Sequence, residues 1–172
     1  MPPLLVLVGP PGSGKTTVGR LVAESLAAPF LDTDHLIENQ AGKAVADIFI
    51  EDGEERFREL EQAAVTEALS EHAGVLALGG GAVLNPSTRE ALQSAPVLAL
   101  AVGLTDAVAR VGLARDRPLL LDSPRARIAA MLRDRAPLYN EVARRTVDTS
   151  GRTPDDIAAE VVRWLQQERA GA

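Results

Sequence analysis

The sequence predicts an α/β protein with a mostly parallel sheet, and two observations support this prediction. Short, continuous apolar runs, typical of strands that are buried on both faces, alternate along the chain with segments of helical periodicity. No internal repeat, low-complexity segment or interdomain linker interrupts the alternation, and 172 residues suit one domain with a core of its own. We therefore expect a single domain over residues 1–172.

The first predicted strand covers residues 4–8, and a glycine-rich loop follows it directly. Residues 9–16 match the phosphate-loop pattern G-x-x-x-x-G-K-[ST] at every fixed position, and residues 18–26 continue with helical spacing. A strand, such a loop and a helix N-terminus form an anion site, because backbone N–H groups and the helix dipole both favour phosphate. The pattern predicts a bound nucleoside triphosphate, with Lys15 at its β- and γ-phosphates and the Thr16 hydroxyl on Mg²⁺.

A short second strand at residues 29–31 ends in Asp32, Thr33 and Asp34. Ligands of open α/β sheets bind outside the carboxyl ends of the strands, where these side chains are expected. Asp32 is placed to bind the metal or its water shell, and Asp34 to meet a hydroxyl of a phosphoryl acceptor. The alternative is that Thr33 or Asp34 caps the helix that starts near residue 35.

The next segment predicts two helices with a break between them. Residues 45–51 form the first, Gly53 ends it, and residues 54–71 form a longer one with helical spacing of apolar residues. On the longer helix, Arg58 precedes Glu61 by three residues. This pair is either an ion pair on the helix surface that contributes little to stability, or an arrangement in which Glu61 holds Arg58 in position to bind an anion.

The third strand, predicted at residues 75–78, runs directly into Gly79, Gly80 and Gly81. A plain turn needs one or two glycines, whereas three at the carboxyl end of a strand allow a ligand to approach the backbone closely. We therefore favour a ligand-binding loop here. A helix over residues 85–93 follows, with a proline near its start.

After the fourth strand, predicted at residues 97–102, the chain contains a helix and a charged loop. Thr105 is expected to cap a helix over residues 105–111. Residues 112–123 then combine charges with four leucines between two helices, which favours a mobile lid. The alternative is an ordinary surface loop with solvated arginines.

The last part of the chain predicts two helices around a final strand. The first covers residues 124–135 and restarts at Pro137 toward residue 145, so that Arg135 sits at a kink that aims its side chain. Residues 146–148 form the strand, and residues 155–167 the final helix.

Composition limits the classes of partner. A net charge of −6 argues against a general nucleic-acid surface, and the absence of cysteine excludes disulfides and thiolate metal sites. No apolar run is long enough to span a membrane, and the chain enters a strand without a signal peptide. We expect a cytoplasmic protein with no nucleic-acid or membrane partner, and a monomer. Ten arginines between residues 110 and 152 suggest a local pocket for phosphate or carboxylate, although most of them suit solvated helix faces.

Motifs along nearly the whole chain, from residue 4 to about residue 164, resemble those of the shikimate kinase family in order and spacing. The phosphate loop alone is shared with many unrelated proteins, but the set as a whole is far more specific. The matching motifs are Gly9–Thr17, Asp32-Thr33-Asp34, Asp47-Ile48-Phe49, Phe57-Arg58, Gly79-Gly80-Gly81, Arg117-Pro118-Leu119-Leu120 and Arg135-Ala136-Pro137-Leu138-Tyr139.

The resemblance implies a fold and a reaction. The fold is that of nucleoside monophosphate kinases, a three-layer P-loop kinase domain with five parallel strands in the order 2-3-1-4-5, helices on both faces and a lid. The reaction is transfer of the γ-phosphoryl group of ATP to the 3-hydroxyl of shikimate, with Mg²⁺, on the route to chorismate and the aromatic amino acids. ATP and shikimate are then the expected partners.

The resemblance also implies residue roles, which add to those inferred above. Lys15, Asp34 and Arg117 are the expected catalytic residues, and Thr16 and Asp32 the expected Mg²⁺ ligands. The expected ATP contacts are Gly12, Ser13, Gly14, Lys15, Thr16, Thr17, Arg110, Arg117, Arg152 and Pro154, of which Arg110, Arg152 and Pro154 fall where the family grips adenine. The expected acceptor contacts are Asp34, Phe49, Phe57, Arg58, Glu61, Gly79, Gly80, Gly81 and Arg135, with the acceptor region spanning about residues 32–61.

Two other functions stay open at this point. A related small-molecule kinase, such as one for gluconate, would keep the phosphate loop but should lack the acceptor set of Arg58, the triple glycine and Arg135. A nucleotide-binding regulatory module without transfer activity should have lost Asp34 or Arg117, and both are present. Whether Asp34 accepts the hydroxyl proton or only orients the hydroxyl is undecided.

Overall fold

The structure is a computed structural model that describes residues 1–111 and 123–171. The predicted lid, apart from Ser123, and the catalytic candidate Arg117 lie outside the described residues. None of the helices in the described part of the chain is both long and apolar enough to cross a membrane.

Strands and helices alternate along the chain as expected, with one short 3₁₀ turn, Ala82–Leu84, that the sequence did not predict. The elements are β1 (Leu5–Val8), α1 (Lys15–Ser25), β2 (Phe30–Asp32), α2 (Thr33–Ala41), α3 (Val45–Glu71), β3 (Val75–Ala77), α4 (Pro86–Leu92), β4 (Val97–Ala101), α5 (Leu104–Val111), α6 (Pro124–Val142), β5 (Arg145–Asp148) and α7 (Pro154–Ala170).

The five strands form one parallel sheet in the order β2-β3-β1-β4-β5, which confirms the predicted fold. The central strand β1 pairs on one side with β3, where Leu7 faces Ala77, and on the other with β4, where Leu7 faces Leu98. Because all strands run the same way, the segments after β1, β2 and β3 emerge at one edge of the sheet. This edge is the site at which an open α/β sheet binds its ligands.

The core lies on both faces of the sheet, so the domain has three layers. Leu5 and Leu7 of β1 pack with α1 and with Trp164 of α7, whereas Val6 and Val8 pack with α3, α4 and α6. All four β1 residues are buried, because alternate side chains of a strand enter opposite layers. The continuous apolar run of β1 thus follows from its central place in the sheet.

Two predicted helix boundaries were wrong. Helix α5 begins at Leu104, so Thr105 lies inside the first turn instead of capping it. Helix α6 continues through Pro137 as one element and ends at Val142, and does not restart toward residue 145. The helix tolerates the proline because residues beyond it, Tyr139 and Val142, are buried in the core and hold the last turns in place. The predicted break at Gly53 is confirmed, since its φ of 84° interrupts the helical backbone of α3.

Replacing Gly74 with alanine should destabilise the sheet. Gly74 leads into β3, and an added Cβ would overlap the carbonyl group of Pro29. That carbonyl accepts a hydrogen bond from Val75 N at 2.9 Å beside the β2–β3 pairing, so it cannot move without disturbing the register. We expect Gly74→Ala to lower the free energy of unfolding by about 2 kcal/mol, within the range for overpacking, in urea denaturation.

Gly171→Ala is the matched control for this prediction. A Cβ at Gly171 would meet only Gln167 O at 3.6 Å, an ordinary contact, so the free energy of unfolding should change by less than about 0.5 kcal/mol. If Gly74→Ala were as stable as this control, the close approach of β3 to the segment before β2 would be wrong.

Candidate active site

A cleft of about 360 Å³ opens at the carboxyl edge of the sheet, between the segments that follow β1, β2 and β3. The structure brings together there three stretches that lie far apart in sequence. The lining residues are Pro11, Gly12, Gly14, Lys15, Thr16, Thr17, Asp32, Asp34, Leu78, Gly79 and Gly80. The phosphate-loop residues and the two predicted carboxylates therefore share one cavity.

The loop between β1 and α1 has the conformation that its glycines permit. Gly12 and Gly14 have φ values of 78° and 89°, in the left-handed region that other residues rarely adopt, and Gly14 directly precedes the first turn of α1. A Cβ at Gly12 would lie 2.8 Å from Val111 Cγ2, so the loop also packs closely against α5. Ser13 is fully buried, and its hydroxyl has no hydrogen-bond partner in the described residues.

The ammonium group of Lys15 is held over this loop. Its Nζ donates to the carbonyl oxygens of Gly9 at 2.8 Å and Pro10 at 3.0 Å. Burial lowers the pKa of Lys15 to about 8, against the opposing charges of Asp34 and Asp32. The nearby carboxylates do not fully offset the cost of removing this positive charge from water, and an anionic ligand would offset the remainder.

Asp32 makes two contacts that tie β2 to the phosphate loop. Its Oδ2 accepts from the Thr16 hydroxyl at 2.7 Å, and its Oδ1 accepts from Asp34 N at 2.9 Å. Asp32 is therefore the N-cap of α2, with an extended backbone at φ −111° and ψ 125°. The alternative that Thr33 or Asp34 caps this helix is wrong, because Asp32 is the cap and Thr33 already lies in the first turn.

Thr33 has a different role. Its side chain is fully buried, and its Oγ1 accepts a hydrogen bond from Gly79 N at 3.1 Å. The middle residue of the Asp-Thr-Asp motif thus connects the β2–α2 junction to the loop after β3. Nothing in the sequence indicated this contact, since it joins residues 46 positions apart.

Asp34 is a buried carboxylate with one oxygen free. Its Oδ1 has no hydrogen-bond partner in residues 1–111 and 123–171. Burial raises the pKa of Asp34, and the charge of Asp32 adds to the rise, while Lys15 opposes it. A Cβ at Gly79 would lie 2.6 Å from this oxygen and 3.0 Å from Glu61 Oε2, so only glycine leaves room for both carboxylates. Asp34 therefore lines the cleft with a carboxylate of which one oxygen, Oδ1, is shielded from water and unpaired in the described residues.

Arg58 and Glu61 form a partly buried ion pair beside the cleft. Arg58 Nη1 donates to Glu61 Oε1 at 2.8 Å, and Glu61 is only 3% exposed, so the pair is no helix-surface contact. The guanidinium carbon of Arg58 lies 5.4 Å from the ring centre of Phe57 and 5.9 Å from that of Phe49, which stack with centroids 4.5 Å apart. Burial raises the pKa of Glu61 above its ordinary value, and the contact with Arg58 offsets part of this rise. Glu61 and two aromatic rings thus hold Arg58 in one place.

The three glycines after β3 leave space for side chains of other segments. A Cβ at Gly81 would overlap the guanidinium of Arg58, and one at Gly80 would lie 2.7 Å from Pro11 Cδ in the phosphate loop. The glycine loop, residues 79–81, therefore packs between the Arg58 side chain and the phosphate loop. This close packing accounts for three glycines where a turn needs fewer.

Helix α6 contributes a second arginine and an unpredicted tyrosine. Arg135 is half-buried, and its charge lowers the pKa of Lys15, Glu61 and Tyr139, so it lies within electrostatic reach of both ends of the cleft. Tyr139 donates its hydroxyl hydrogen to Gly80 O at 2.6 Å. Tyr139 follows Arg135 by four residues and so lies on the same helix face, but this spacing does not indicate Gly80 as its partner.

The three predicted adenine contacts divide into two groups. Arg110 donates to Gly12 O at 3.0 Å and to Thr149 O at 3.3 Å, which anchors the phosphate loop to the end of β5. Arg152 pairs with Glu160 at 2.8 Å, and Pro154 is the exposed first residue of α7; neither lines the cavity. The structure thus brings Arg110 to the phosphate loop, but none of the three residues lines the cavity.

Comparison with known proteins identifies the family. The family model described as shikimate kinase matches residues 11–166. This chain belongs to the shikimate kinase family. It is 57% identical to a shikimate kinase of Thermobifida fusca over 163 residues, covering 95% of each chain, and 56% identical to one of Salinispora tropica, covering 96% of this chain and 99% of the relative.

A solved member of the shikimate kinase family has the same architecture. The shikimate kinase from Acinetobacter baumannii in complex with shikimate superposes with a TM-score of 0.90 at 38% identity, over 98% of this chain and 94% of that one. The family resemblance inferred from the motifs is therefore confirmed, together with the strand order.

Removing Arg58 should produce a pH-dependent loss of stability. Arg58 keeps the pKa of Glu61 down, so Arg58→Ala should raise that pKa further above its ordinary value of 4.5. The folded protein then binds more protons than the unfolded chain, and its stability falls as the pH rises from about 4.5 through the folded-state pKa. We expect Arg58→Ala to lower the free energy of unfolding by about 2 kcal/mol at pH 8 and by less at pH 5. The loss at pH 8 is smaller than for a fully buried ion pair because the Arg58 side chain is 26% exposed.

Arg56→Ala is the matched control, since Arg56 pairs with Glu59 at the same spacing on the exposed side of α3. Its effect in urea denaturation should be below about 1 kcal/mol and nearly independent of pH. Combining Arg58→Ala with Glu61→Gln should remove the additional pH dependence. An equal loss for Arg58→Ala at pH 5 and pH 8 would contradict a carboxylate that depends on Arg58 for its charge.

Proposed function

We infer that this chain is a shikimate kinase, which transfers the γ-phosphoryl group of ATP to the 3-hydroxyl of shikimate and forms 3-phosphoshikimate and ADP. The observation that carries this inference is the acceptor side of the cleft: the Arg58–Glu61 pair packs against the glycine loop beside a phosphate loop, in a chain of the shikimate kinase family. Gluconate also carries a carboxylate, so the braced arginine does not by itself separate the two acceptors; the match of residues 11–166 to the shikimate kinase family does. The Acinetobacter relative, 38% identical, is described in complex with shikimate.

The nucleotide side uses the loop between β1 and α1. Backbone N–H groups of residues 12–17 and the N-terminus of α1 receive the β- and γ-phosphates. The positive charge of Lys15 stabilises the negative charge of the γ-phosphoryl group while that group moves to the acceptor. Electrostatic stabilisation of this kind, together with positioning, is the main form of catalysis in phosphoryl transfer. Arg110 holds the loop through Gly12 O and borders the nucleotide, with Arg152 and Pro154 assigned to the adenine end.

Thr16 and Asp32 are the proposed Mg²⁺ ligands. The described residues contain no group of three or more acidic or histidine side chains suited to a metal, so a cage made of protein alone is excluded there. The Thr16 and Asp32 side-chain oxygens lie 2.7 Å apart and fit a hard cation that takes its remaining ligands from phosphate and water. When bound, Mg²⁺ offsets the negative charge of the phosphates.

The acceptor side binds shikimate by its charge and its hydroxyl. Arg58 and Arg135 receive the carboxylate, to which guanidinium groups are well matched, with the N–H groups of Gly80 and Gly81 nearby. Phe49 and Phe57 form the apolar wall. Asp34, which lines the cleft, accepts a hydrogen bond from the 3-hydroxyl, and its raised pKa suits it to receive the proton as the new bond forms.

Two further elements complete the proposal. Residues 112–123 act as a lid that excludes water, and Arg117 contacts the transferred phosphoryl group; both lie outside the described residues except for Ser123. We propose that the active unit is a monomer.

A coupled assay of ADP release tests the function directly. With Mg²⁺ and ATP, we expect turnover with shikimate and none above background with gluconate or without an acceptor. Lys15→Ala should lower the shikimate-dependent turnover by about a hundredfold or more, as for loss of one electrostatic donor. The same variant should lose no thermal stability, because the native ammonium group is already desolvated at its position.

The alternatives give different results in this assay. Turnover with gluconate would indicate another small-molecule kinase, and ADP release without an acceptor would indicate a hydrolase. Absence of any turnover in a protein that binds ATP would favour a regulatory module. An unaltered rate in folded Lys15→Ala protein would remove Lys15 from the mechanism.

Replacing Arg135 tests the carboxylate pocket. Arg135→Ala should weaken shikimate binding by about 1.5–3 kcal/mol, the range for a hydrogen bond to a charged group, while ATP affinity changes by less than about threefold. Arg135→Lys should recover little of this, because an ammonium cannot reproduce the planar fork. Calorimetry with shikimate and with an analogue whose carboxylate is replaced by hydrogen measures both effects.

The analogue separates a carboxylate contact from a general loss of fit. It should bind the wild-type protein poorly and lose little more in Arg135→Ala, so that the two losses do not add. Arg133→Ala serves as the control, since Arg133 lies two residues earlier on α6 with its side chain 75% exposed. If the losses from ligand and protein simply add, Arg135 does not bind the carboxylate.

A further inference from the structure

The glycine loop needs something to hold it, because its own residues cannot. Three consecutive glycines have the greatest backbone freedom and no side chains to pack, so ordering them costs more entropy than ordering any other tripeptide. Nevertheless Gly79 and Gly80 line the cleft, and Gly79 and Gly81 are buried. The constraint must therefore come from hydrogen bonds to the loop backbone.

Those hydrogen bonds use four of the six backbone polar groups of the loop. Gly79 N donates to Thr33 Oγ1 at 3.1 Å, and Gly79 O accepts from Ala82 N at 3.0 Å. Gly81 O accepts from Leu84 N at 3.0 Å, and Gly80 O accepts from the Tyr139 hydroxyl at 2.6 Å. Within residues 1–111 and 123–171, the Gly80 and Gly81 N–H groups have no such partner. The fold thus uses the carbonyls and leaves two donors beside the cleft.

Tyr139 reaches the loop from a separate layer of the molecule. Tyr139 is 6% exposed and packs in the core with Val142 and Val83, so core contacts hold its ring in addition to the hydrogen bond to Gly80. Burial raises the pKa of Tyr139, although Arg135 opposes this, and the hydroxyl therefore remains a donor at neutral pH. Arg135 lies one turn earlier on the same helix face. One rigid helix thus carries both an expected carboxylate ligand and the residue that holds Gly80.

The hydrogen bond at Gly80 O controls more than that carbonyl. The structure contains no cis peptide in the described residues, so the Gly80 C=O and the Gly81 N–H point to opposite sides of one rigid plane. Fixing the carbonyl toward Tyr139 also fixes the direction of the Gly81 N–H. Without the hydroxyl, glycine freedom at both residues would allow this plane to rotate and turn an acceptor toward an anionic ligand.

We propose that Tyr139 is a positioning residue for the acceptor: its hydroxyl locks the Gly80–Gly81 peptide so that the loop N–H groups stay available to the carboxylate that Arg135 and Arg58 bind. The contact of Gly81 with the Arg58 guanidinium brings these donors together. All of them are hydrogen-bond donors, which suits the carboxylate best, because it is the one group of shikimate that is charged and only accepts. This inference rests on the proposed function, because the carboxylate is that of shikimate.

Tyr139→Phe keeps the buried ring and removes the hydroxyl. Its dissociation constant for shikimate should rise about threefold to tenfold, the range that corresponds to the net worth of one neutral hydrogen bond, with the ATP constant unchanged. The carboxylate-free analogue should bind the variant as well as it binds the wild type. In steady-state assays the KM for shikimate should rise by more than kcat falls.

Val142→Ala is the matched control, since it destabilises the same end of α6 without contacting the glycine loop through a hydrogen bond. It should lower the melting temperature and leave both dissociation constants unchanged. If Tyr139→Phe behaves like this control, Tyr139 has a structural role only and the proposal is wrong. An equal loss for shikimate and the analogue would also overturn it.

A second measurement needs no mutation. Tyr139 is the only tyrosine in the chain, so labelling with 3-fluorotyrosine gives a single ¹⁹F signal at this position. Adding shikimate should shift the signal, and the carboxylate-free analogue should shift it less; no shift with shikimate would count against the proposal. If the wild-type enzyme neither binds nor phosphorylates shikimate, the proposed function fails instead, whatever the variants do.

Discussion

The parallel pairing of β1 with β3 on one side and β4 on the other is the constraint on which the cleft depends. It places the carboxyl end of β1 between its neighbours, so that the phosphate loop emerges beside the segments after β2 and β3. Four buried residues of β1 fill both layers of the core and hold this arrangement. The register brings Asp32, Gly79 and Lys15 into one cavity although they lie on three different connections.

Within that cavity, charged groups are held away from water before any ligand binds. Burial lowers the pKa of Lys15 and raises those of Asp34 and Glu61, so each side chain carries its charge at a cost. Only part of this cost is offset inside the protein, chiefly by the Arg58–Glu61 contact. A substrate pair with phosphates at one end and a carboxylate and hydroxyls at the other supplies the missing partners. Preorganisation of this kind is what phosphoryl transfer requires.

Glycine has a specific use at each end of the cleft. In the phosphate loop, positive φ values at Gly12 and Gly14 aim the backbone at the anion site. In the loop after β3, Gly79 makes room for two carboxylates and Gly81 for a guanidinium. The freedom that permits such close approach has to be removed again, and Thr33 and Tyr139 do so through hydrogen bonds from two different elements. Close packing and backbone restraint are therefore linked in this site.

Four features could be predicted from the amino-acid sequence: the alternation of strands and helices, the phosphate loop, the strand-end carboxylates and the family. Each depends on local periodicity or on a short motif that has a local physical cause. Local signals could not supply the Thr33 contact with Gly79 or the Tyr139 contact with Gly80. These depend on which side chains the packed layers bring within 3.1 Å across 46 or 59 residues of chain. The continuity of α6 through Pro137 was likewise decided by tertiary structure, since burial of Tyr139 and Val142 outweighs the local preference of proline to end a helix.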